Sequence, residues 1–158
     1  MTRRSILASL VGILVLALTS SMHAQAPKSL IGTWKLNLAK SKFSPGPAPK
    51  SMTITYSAAG EGLKIVVETT PATGAAQHWE MSGNYDGKDN PVTGNPDADM
   101  ISMKRIDEHR GESVFKKGGK VMATNERVIS ADGKTLTITS KGTTADGKPR
   151  HDVQVFER

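Results

Sequence analysis

The stretch NYDGKDNPVTGNPDAD, residues 84–99, holds four aspartates and three asparagines, whose side-chain oxygens are ligands that calcium prefers. Asn95, Asp97 and Asp99 alternate as the first ligands of an EF-hand loop do. That template also needs glycine at its sixth position and glutamate at its twelfth. The chain has Met100 and Ile106 there, so the EF-hand interpretation fails.

A looser calcium loop would use the four aspartates of the same stretch. The Asp-Gly, Asn-Pro and Gly-Asn pairs between them are, however, typical of turns for reasons of backbone geometry. Loops of this length often cover or bind something. We therefore predict a metal-free loop between two strands, with the calcium site as the alternative. The aspartates are Asp86, Asp89, Asp97 and Asp99.

Methionine and histidine are the ligands of exported Cu(I) proteins, and His78 stands near Met81 as Met100 does near Met103. Both pairs are three residues apart. On a strand this spacing puts the partners on opposite faces, so neither pair can bind one ion. The histidines outside the leader form no His-x-His or His-x-x-x-His pair, and we predict no metal and no cofactor. They are His78, His109 and His151.

Catalytic patterns are also missing. The chain has no Gly-x-Ser-x-Gly nucleophile elbow. His78 and Glu80 share one face of a predicted strand and would suit an acid–base pair, but polar residues that alternate with Trp79 and Met81 are typical of a solvent face. The sequence therefore predicts a protein that is not an enzyme.

The N-terminus, MTRRSILASLVGILVLALTSSMHAQAP, has arginines, an apolar run and then small residues, which is the pattern of a signal peptide over residues 1–26. The apolar run of about 13 residues is too short to span a bilayer, so no stable membrane anchor is expected. Cleavage after Ala24 or after Ala26 would fit. Export by the general secretory route is favoured over the twin-arginine route, and the protein is predicted to be periplasmic or secreted.

The remaining residues, 27–158, are enough for a single domain without any cysteine. Removal of the leader lowers the formal charge from +6 to about +4. The densest basic run, KKGGK at 116–120, sits at a predicted hairpin tip, where lysines keep strand edges soluble. This dispersed charge in an exported chain does not favour nucleic acid as a partner. The oligomeric state has no signature in the sequence.

Apolar residues recur with period two along the chain, for example Met52, Ile54 and Tyr56, and short turn signals separate these segments. Turns this short hold no crossover helix, so consecutive strands should pair antiparallel. A meander of this kind has two free edges unless it closes into a barrel. We predict an all-β, antiparallel up-and-down barrel, with a two-sheet sandwich as the alternative. Nine strands are expected near 32–37, 51–57, 63–70, 77–85, 100–106, 113–117, 121–129, 135–142 and 151–158.

Gly32-Thr33-Trp34 on the first predicted strand and Arg158 at the end of the last resemble the calycin group of lipocalins and fatty-acid-binding proteins. The resemblance implies a barrel in which Trp34 plugs one end and an arginine packs on it. Arg158 suits that role better than Arg127. The chain departs from fatty-acid-binding proteins because LAKSKFSPGPAPK leaves no room for a helical lid, and because Gln154-Val155-Phe156 stands where their Arg-x-Tyr carboxylate clamp would lie.

The chain also resembles, over most of residues 27–158, a set of small exported bacterial proteins that share GTWKLN, KFSPGPAPK and YDGKD-PVTGNP. This resemblance implies a common fold and compartment, and no activity.

Two functions remain open from the sequence. The first is a carrier or sensor that binds a small apolar or amphipathic molecule inside the barrel. The second is a cell-envelope interaction module with a filled barrel, which would contact a macromolecule through residues 84–99. For the first, the residues expected to line a pocket are Tyr56, Trp79, Met81, Met103 and Phe115.

Overall fold

The computed structural model describes residues 25–144 and 146–158 of the chain. These residues form a closed antiparallel barrel in the strand order β1-β10-β9-β8-β7-β6-β5-β4-β3-β2. The predicted all-β, up-and-down barrel is thus confirmed, and the sandwich alternative is wrong. The strands are β1 Gly32–Leu36, β2 Ser51–Ala59, β3 Gly62–Thr70, β4 Gln77–Gly83, β5 Asp86–Thr93, β6 Met100–Arg105, β7 Arg110–Lys117, β8 Lys120–Ile129, β9 Thr135–Thr143 and β10 Pro149–Glu157.

The barrel has ten strands rather than nine, because much of the stretch predicted as a loop is β5. Asp86 pairs with Lys104 and Pro91 with Met100 of β6, whereas β4 contacts β5 through only two pairs, Glu80 with Thr93 and Met81 with Val92. The segment has the composition of a turn, so the sequence did not indicate a strand here. The strand pairs mainly along one side, with β6. Only residues 94–99 remain as the connection to β6.

Short β1 joins the first and last parts of the chain. It pairs with β2 from Gly32 to Lys35, and with β10 through Lys35 and Leu36. The chain beyond β1 continues along β10, where Lys42 and Val153 exchange two backbone hydrogen bonds of 2.7 and 2.8 Å. This segment completes the wall that the five residues of β1 are too short to close.

One end of the barrel, here called the base, is closed by apolar side chains. Trp34 on β1 is fully buried, and its indole Nε1 donates a 2.9 Å hydrogen bond to the carbonyl of Leu30. Leu30 belongs to a short 3₁₀ helix, Lys28–Leu30, that precedes β1 and lies against the same end. Burial of such large rings and branched chains supplies most of the stability of a cysteine-free domain. The fully buried residues around them are Leu63, Leu136 and Phe156.

The predicted signal peptide lies almost entirely outside the described residues. Its last residues are described: the carbonyl of Gln25 accepts a 3.2 Å hydrogen bond from Arg105, and Ala26 packs against the core. In the described part of the chain, no helix has the length and apolar character required to cross a membrane.

Candidate functional site: the barrel cavity

The barrel encloses a cavity of about 460 Å³ above the closed base. Its walls come from inward residues of the strands, and its upper border includes Gln77, Lys117 and Thr144 near the other end of the barrel. Gln77 and Lys117 are exposed, so this end is the mouth. The volume lies within the range of roughly 300–1,000 Å³ that is usual for small-molecule sites.

One side of the cavity is apolar. Strands β2, β3 and β4 pair so that Ile54, Val67 and Trp79 are cross-strand neighbours on the inner face. The Trp79 ring meets Phe115 of β7 edge to face, with centroids 5.8 Å apart and an interplanar angle of 88°. This geometry is favourable for two aromatic rings and gives the apolar wall a fixed shape.

The opposite side is polar. Ser113 of β7, Asn125 of β8 and Ser140 of β9 are cross-strand partners, and all three line the cavity. The Asn125 side-chain oxygen Oδ1 is buried and has no hydrogen-bond partner. Because buried amides are normally satisfied, this row of side chains favours contact with a polar part of a ligand. The cavity is therefore amphipathic.

Arg127 is the charged group of the polar wall nearest the base. It is only 8% exposed, and its Nη1 donates a 2.7 Å hydrogen bond to the hydroxyl of Tyr85. The guanidinium also lies near the Tyr85 ring, with Cζ 5.5 Å from the centroid. Its Nε and Nη2 are buried without a partner. An arginine on a cavity wall that keeps two unsatisfied donors can bind an anion.

Gly111, the cross-strand partner of Arg127, makes room for this guanidinium. A Cβ atom at Gly111 would lie 2.5 Å from Nη2 of Arg127 and 3.1 Å from its Cζ. No side chain other than hydrogen can therefore occupy this position while the arginine keeps its place.

Tyr56 is buried beside this group. Burial raises the pKa of the Tyr56 phenol far above its ordinary value; the positive charge of Arg127 lowers it and the neighbouring Tyr85 raises it, both by less. Tyr56 therefore stays neutral at physiological pH and does not supply a counter-charge to Arg127.

Arg150, also on the cavity wall, has a counter-charge. Its Nε lies 3.4 Å from Oδ2 of Asp152, and its Nη2 donates to the Ser140 hydroxyl at 3.3 Å. Asp152 is buried and also accepts a 3.1 Å hydrogen bond from the backbone N–H of Ser44. The two inward arginines thus differ: Arg150 is paired with a carboxylate, and Arg127 forms no ion pair with the carboxylates that the structure describes.

The connection 94–99, which remains of the loop predicted over residues 84–99, borders the mouth. Asn95, Pro96 and Ala98 line the cavity, and Lys117 donates a 3.1 Å hydrogen bond to the Pro96 carbonyl. Across residues 25–144 and 146–158, no three acidic or histidine side chains group closely enough to hold a metal ion.

Three of the five residues predicted to bind a ligand, Trp79, Met103 and Phe115, line the cavity. The other two, Tyr56 and Met81, are buried in the core and are not among its lining residues. Trp34 and Arg158, predicted as a plug, lie together at the base, with the guanidinium Cζ 4.2 Å from the centre of the indole ring.

The sequence reasoning did not identify Tyr85, Asn125 and Arg127 as cavity residues. Strand β8 reads KVMATNERVI, and its exposed residues include Val121 and Val128, so apolar periodicity does not mark its inner face. Counting back by two from the buried Ile129 would have placed Arg127 and Asn125 inside.

No family model, no curated protein and no solved structure matches this chain.

Proposed function

We propose that this chain is an exported β-barrel protein that binds a small amphipathic molecule inside its barrel, as a carrier or a sensor. The observation that carries the proposal is the cavity of about 460 Å³, closed at the base by Trp34 and bordered at the mouth by exposed residues. Such a chamber can take one ligand from the mouth and keep most of it from water.

The chemistry of the walls supports an amphipathic ligand rather than a purely apolar one. Trp79, Phe115 and their neighbours offer a dry surface on one side, and Asn125 and Arg127 offer unsatisfied polar atoms on the other. An apolar molecule would leave those polar atoms unpaired, which costs free energy. A molecule with both kinds of surface satisfies both walls.

The other candidate, an interaction module with a filled barrel, has less support. Its barrel would have no room for a ligand, whereas this interior holds a cavity. The loop that it would use is also shorter than expected, since residues 86–93 form a strand of the barrel wall.

Export is supported by the sequence of residues 1–26, with its arginines, short apolar run and small residues near Ala24 and Ala26. Intact-mass measurement of the protein from the periplasm should give a chain that begins at Gln25 or Pro27. Recovery of only the full-length chain in the membrane fraction would contradict export.

The ligand can be sought by native mass spectrometry of protein purified from its own compartment. A co-purifying small molecule that is released on unfolding would support the proposal and identify the ligand. Binding can also be measured with a neutral lipophilic fluorescent probe, N-phenyl-1-naphthylamine, which should bind saturably and change the emission of Trp79.

Two tryptophan variants give that measurement its control. Trp79→Ala removes a ring on the cavity wall and should weaken probe binding about tenfold or more, the effect expected when an aromatic contact is lost. Trp34→Phe alters the base and should change probe affinity much less. If the folded wild-type protein shows no saturable binding of the probe or of fatty acids, retinoids, haem and isoprenoids, the proposal fails.

A further inference from the structure

We propose that Arg127, held in place by Tyr85, forms an anion-binding site near the base of the cavity, and that the ligand is an organic acid whose carboxylate enters the barrel first. This inference rests on the proposed function and specifies the class of ligand. It follows from the hydrogen bonding, the charge and the shape of the site.

The free donors of Arg127 lie on one edge of its guanidinium. Nη1 is used by the Tyr85 hydroxyl at 2.7 Å, and the buried atoms without a partner are Nε and Nη2. The N–H groups of Nε and Nη2 point the same way and match the two oxygens of a carboxylate in a bidentate pair. The Tyr85 hydroxyl accepts its bond from Nη1, away from this edge, and so holds the guanidinium in place without occupying the two free donors.

The charge of the site is unbalanced by one unit. Arg150 has Asp152 at 3.4 Å, but Arg127 has no carboxylate partner in the part of the chain that the structure describes. The buried phenol of Tyr56 remains neutral and leaves that charge in place. A cation in a largely apolar interior is costly without a counterion, so a ligand with one negative charge would be bound more tightly than a neutral one.

The shape of the cavity sets the orientation of the acid. Arg127 and Tyr85 lie towards the base, whereas the apolar residues Val67, Trp79 and Phe115 extend from there towards the mouth. A carboxylate at Arg127 therefore places the hydrocarbon part of the same molecule against the apolar wall. The reverse orientation would put the hydrocarbon on the unsatisfied donors.

The test compares ligands that differ only in their head group. Straight-chain acids from octanoate to palmitate, and the alcohol and amine of each length, are titrated against the full mature protein at neutral pH by displacement of the neutral probe N-phenyl-1-naphthylamine. We expect the best acid to bind about tenfold or more tighter than its alcohol, as for a charge-assisted hydrogen-bonded pair, and the amine to bind most weakly.

Two variants that each remove one positive charge locate the effect. Arg127→Met should abolish the preference for acid over alcohol and retain affinity for the alcohol. Lys141→Met should keep the preference, because Lys141 is exposed on β9 and does not line the cavity.

The outcomes separate the two proposals. Equal binding of acid and alcohol by the wild-type protein would overturn the anion site while leaving ligand binding in place, and this comparison needs no variant. A preference that survives Arg127→Met would overturn it as well. Absence of any saturable binding, including that of the neutral probe, would overturn the proposed function and the anion site together.

Discussion

The guanidinium of Arg158 lies over the indole ring of Trp34, with its Cζ 4.2 Å from the ring centroid, and so joins the last residue of the chain to the first strand. The same guanidinium donates hydrogen bonds to the carbonyls of Ser29, Ile31 and Gly133, at 2.6, 3.2 and 2.7 Å. One side chain thereby holds the segment before β1, the start of β1 and the turn between β8 and β9 against the base.

Arg158→Ala should therefore lower the free energy of unfolding by about 2–3 kcal/mol, because it removes three hydrogen bonds and a cation–π contact. Urea unfolding followed by tryptophan fluorescence measures the change. Arg158→Lys is the matched control: it keeps the charge but cannot reach three carbonyls, and it should restore only part of the loss. A variant Arg158→Ala as stable as wild type would show that the base is held by apolar packing alone.

The buried charge of Arg127 should destabilise the ligand-free protein. Arg127→Met replaces a buried charge that has no carboxylate partner with an apolar chain of similar length, although Tyr85 loses a hydrogen bond. We expect the free energy of unfolding to stay unchanged or to rise by up to about 2 kcal/mol. Urea unfolding of the ligand-free protein checks this.

Arg150→Met is the control for this prediction, since it leaves the buried carboxylate of Asp152 without its cation. It should destabilise the protein, by about 3 kcal/mol if the pair behaves as a buried one. If both substitutions destabilise equally, the charge of Arg127 is balanced within the protein and is not reserved for a ligand.

Gly111→Ala offers a way to move the Arg127 guanidinium without removing its charge. The added Cβ would lie 2.5 Å from Nη2, so the side chain must shift away from its place beside Tyr85. Gly111 does not have a positive φ, and alanine fits its backbone conformation. We expect affinity for a straight-chain acid to fall several-fold, with little change for the alcohol of the same length. Equal losses for acid and alcohol would indicate a general change in the cavity.

Acid should loosen the contact between the N-terminal segment and the base. Burial acts to raise the pKa of Glu108, but the hydrogen bonds from Ser29 and the charge of Arg105 outweigh it and hold that pKa below its ordinary value. A lowered carboxyl pKa in the folded protein stabilises it above the unfolded value, and this contribution disappears as the pH falls through the folded value.

The measurement is the melting temperature of wild-type protein and Glu108→Gln from neutral pH down to about pH 3. The wild-type protein should be modestly more stable at neutral pH, and the difference should shrink as the pH falls below the ordinary glutamate pKa of about 4.3. The effect is small because the Glu108 side chain is 43% exposed. Glu112→Gln, which changes an exposed glutamate on β7, is the control. A difference that persists in acid would assign the effect to packing.

The fold was predictable because its signal is local and repeated. Alternation such as Leu63, Ile65 and Val67 requires a strand with one buried face, and the short turns between segments require antiparallel neighbours. Closure into a barrel was predicted because an open meander would leave the backbone groups of its two edge strands unpaired. Strand β5 was missed because DGKDNPVT has the composition of a turn, and its extended shape depends on pairing with β6, which lies ahead in the chain.

The last strand shows a second limit. Val153 and Val155 alternate in the sequence as core residues would, yet the inner face of β10 holds Asp152, Gln154 and the fully buried Phe156. Val153 and Val155, on the other face, are themselves half-buried. Periodicity then no longer indicates which face is the inner one.

The sequence by itself determined the class of fold and identified Trp34 and Arg158 as candidates for one end of the barrel; it also predicts an export signal at residues 1–26. Only the tertiary structure brought Tyr85, Gly111 and Arg127 together, from three different parts of the chain. Their chemistry depends on cross-strand register and on the absence of a side chain at Gly111. The local pattern of apolar and polar residues indicates neither property. A pattern of apolar residues specifies which surfaces are buried, whereas the partner of a buried charge is fixed only when distant strands meet.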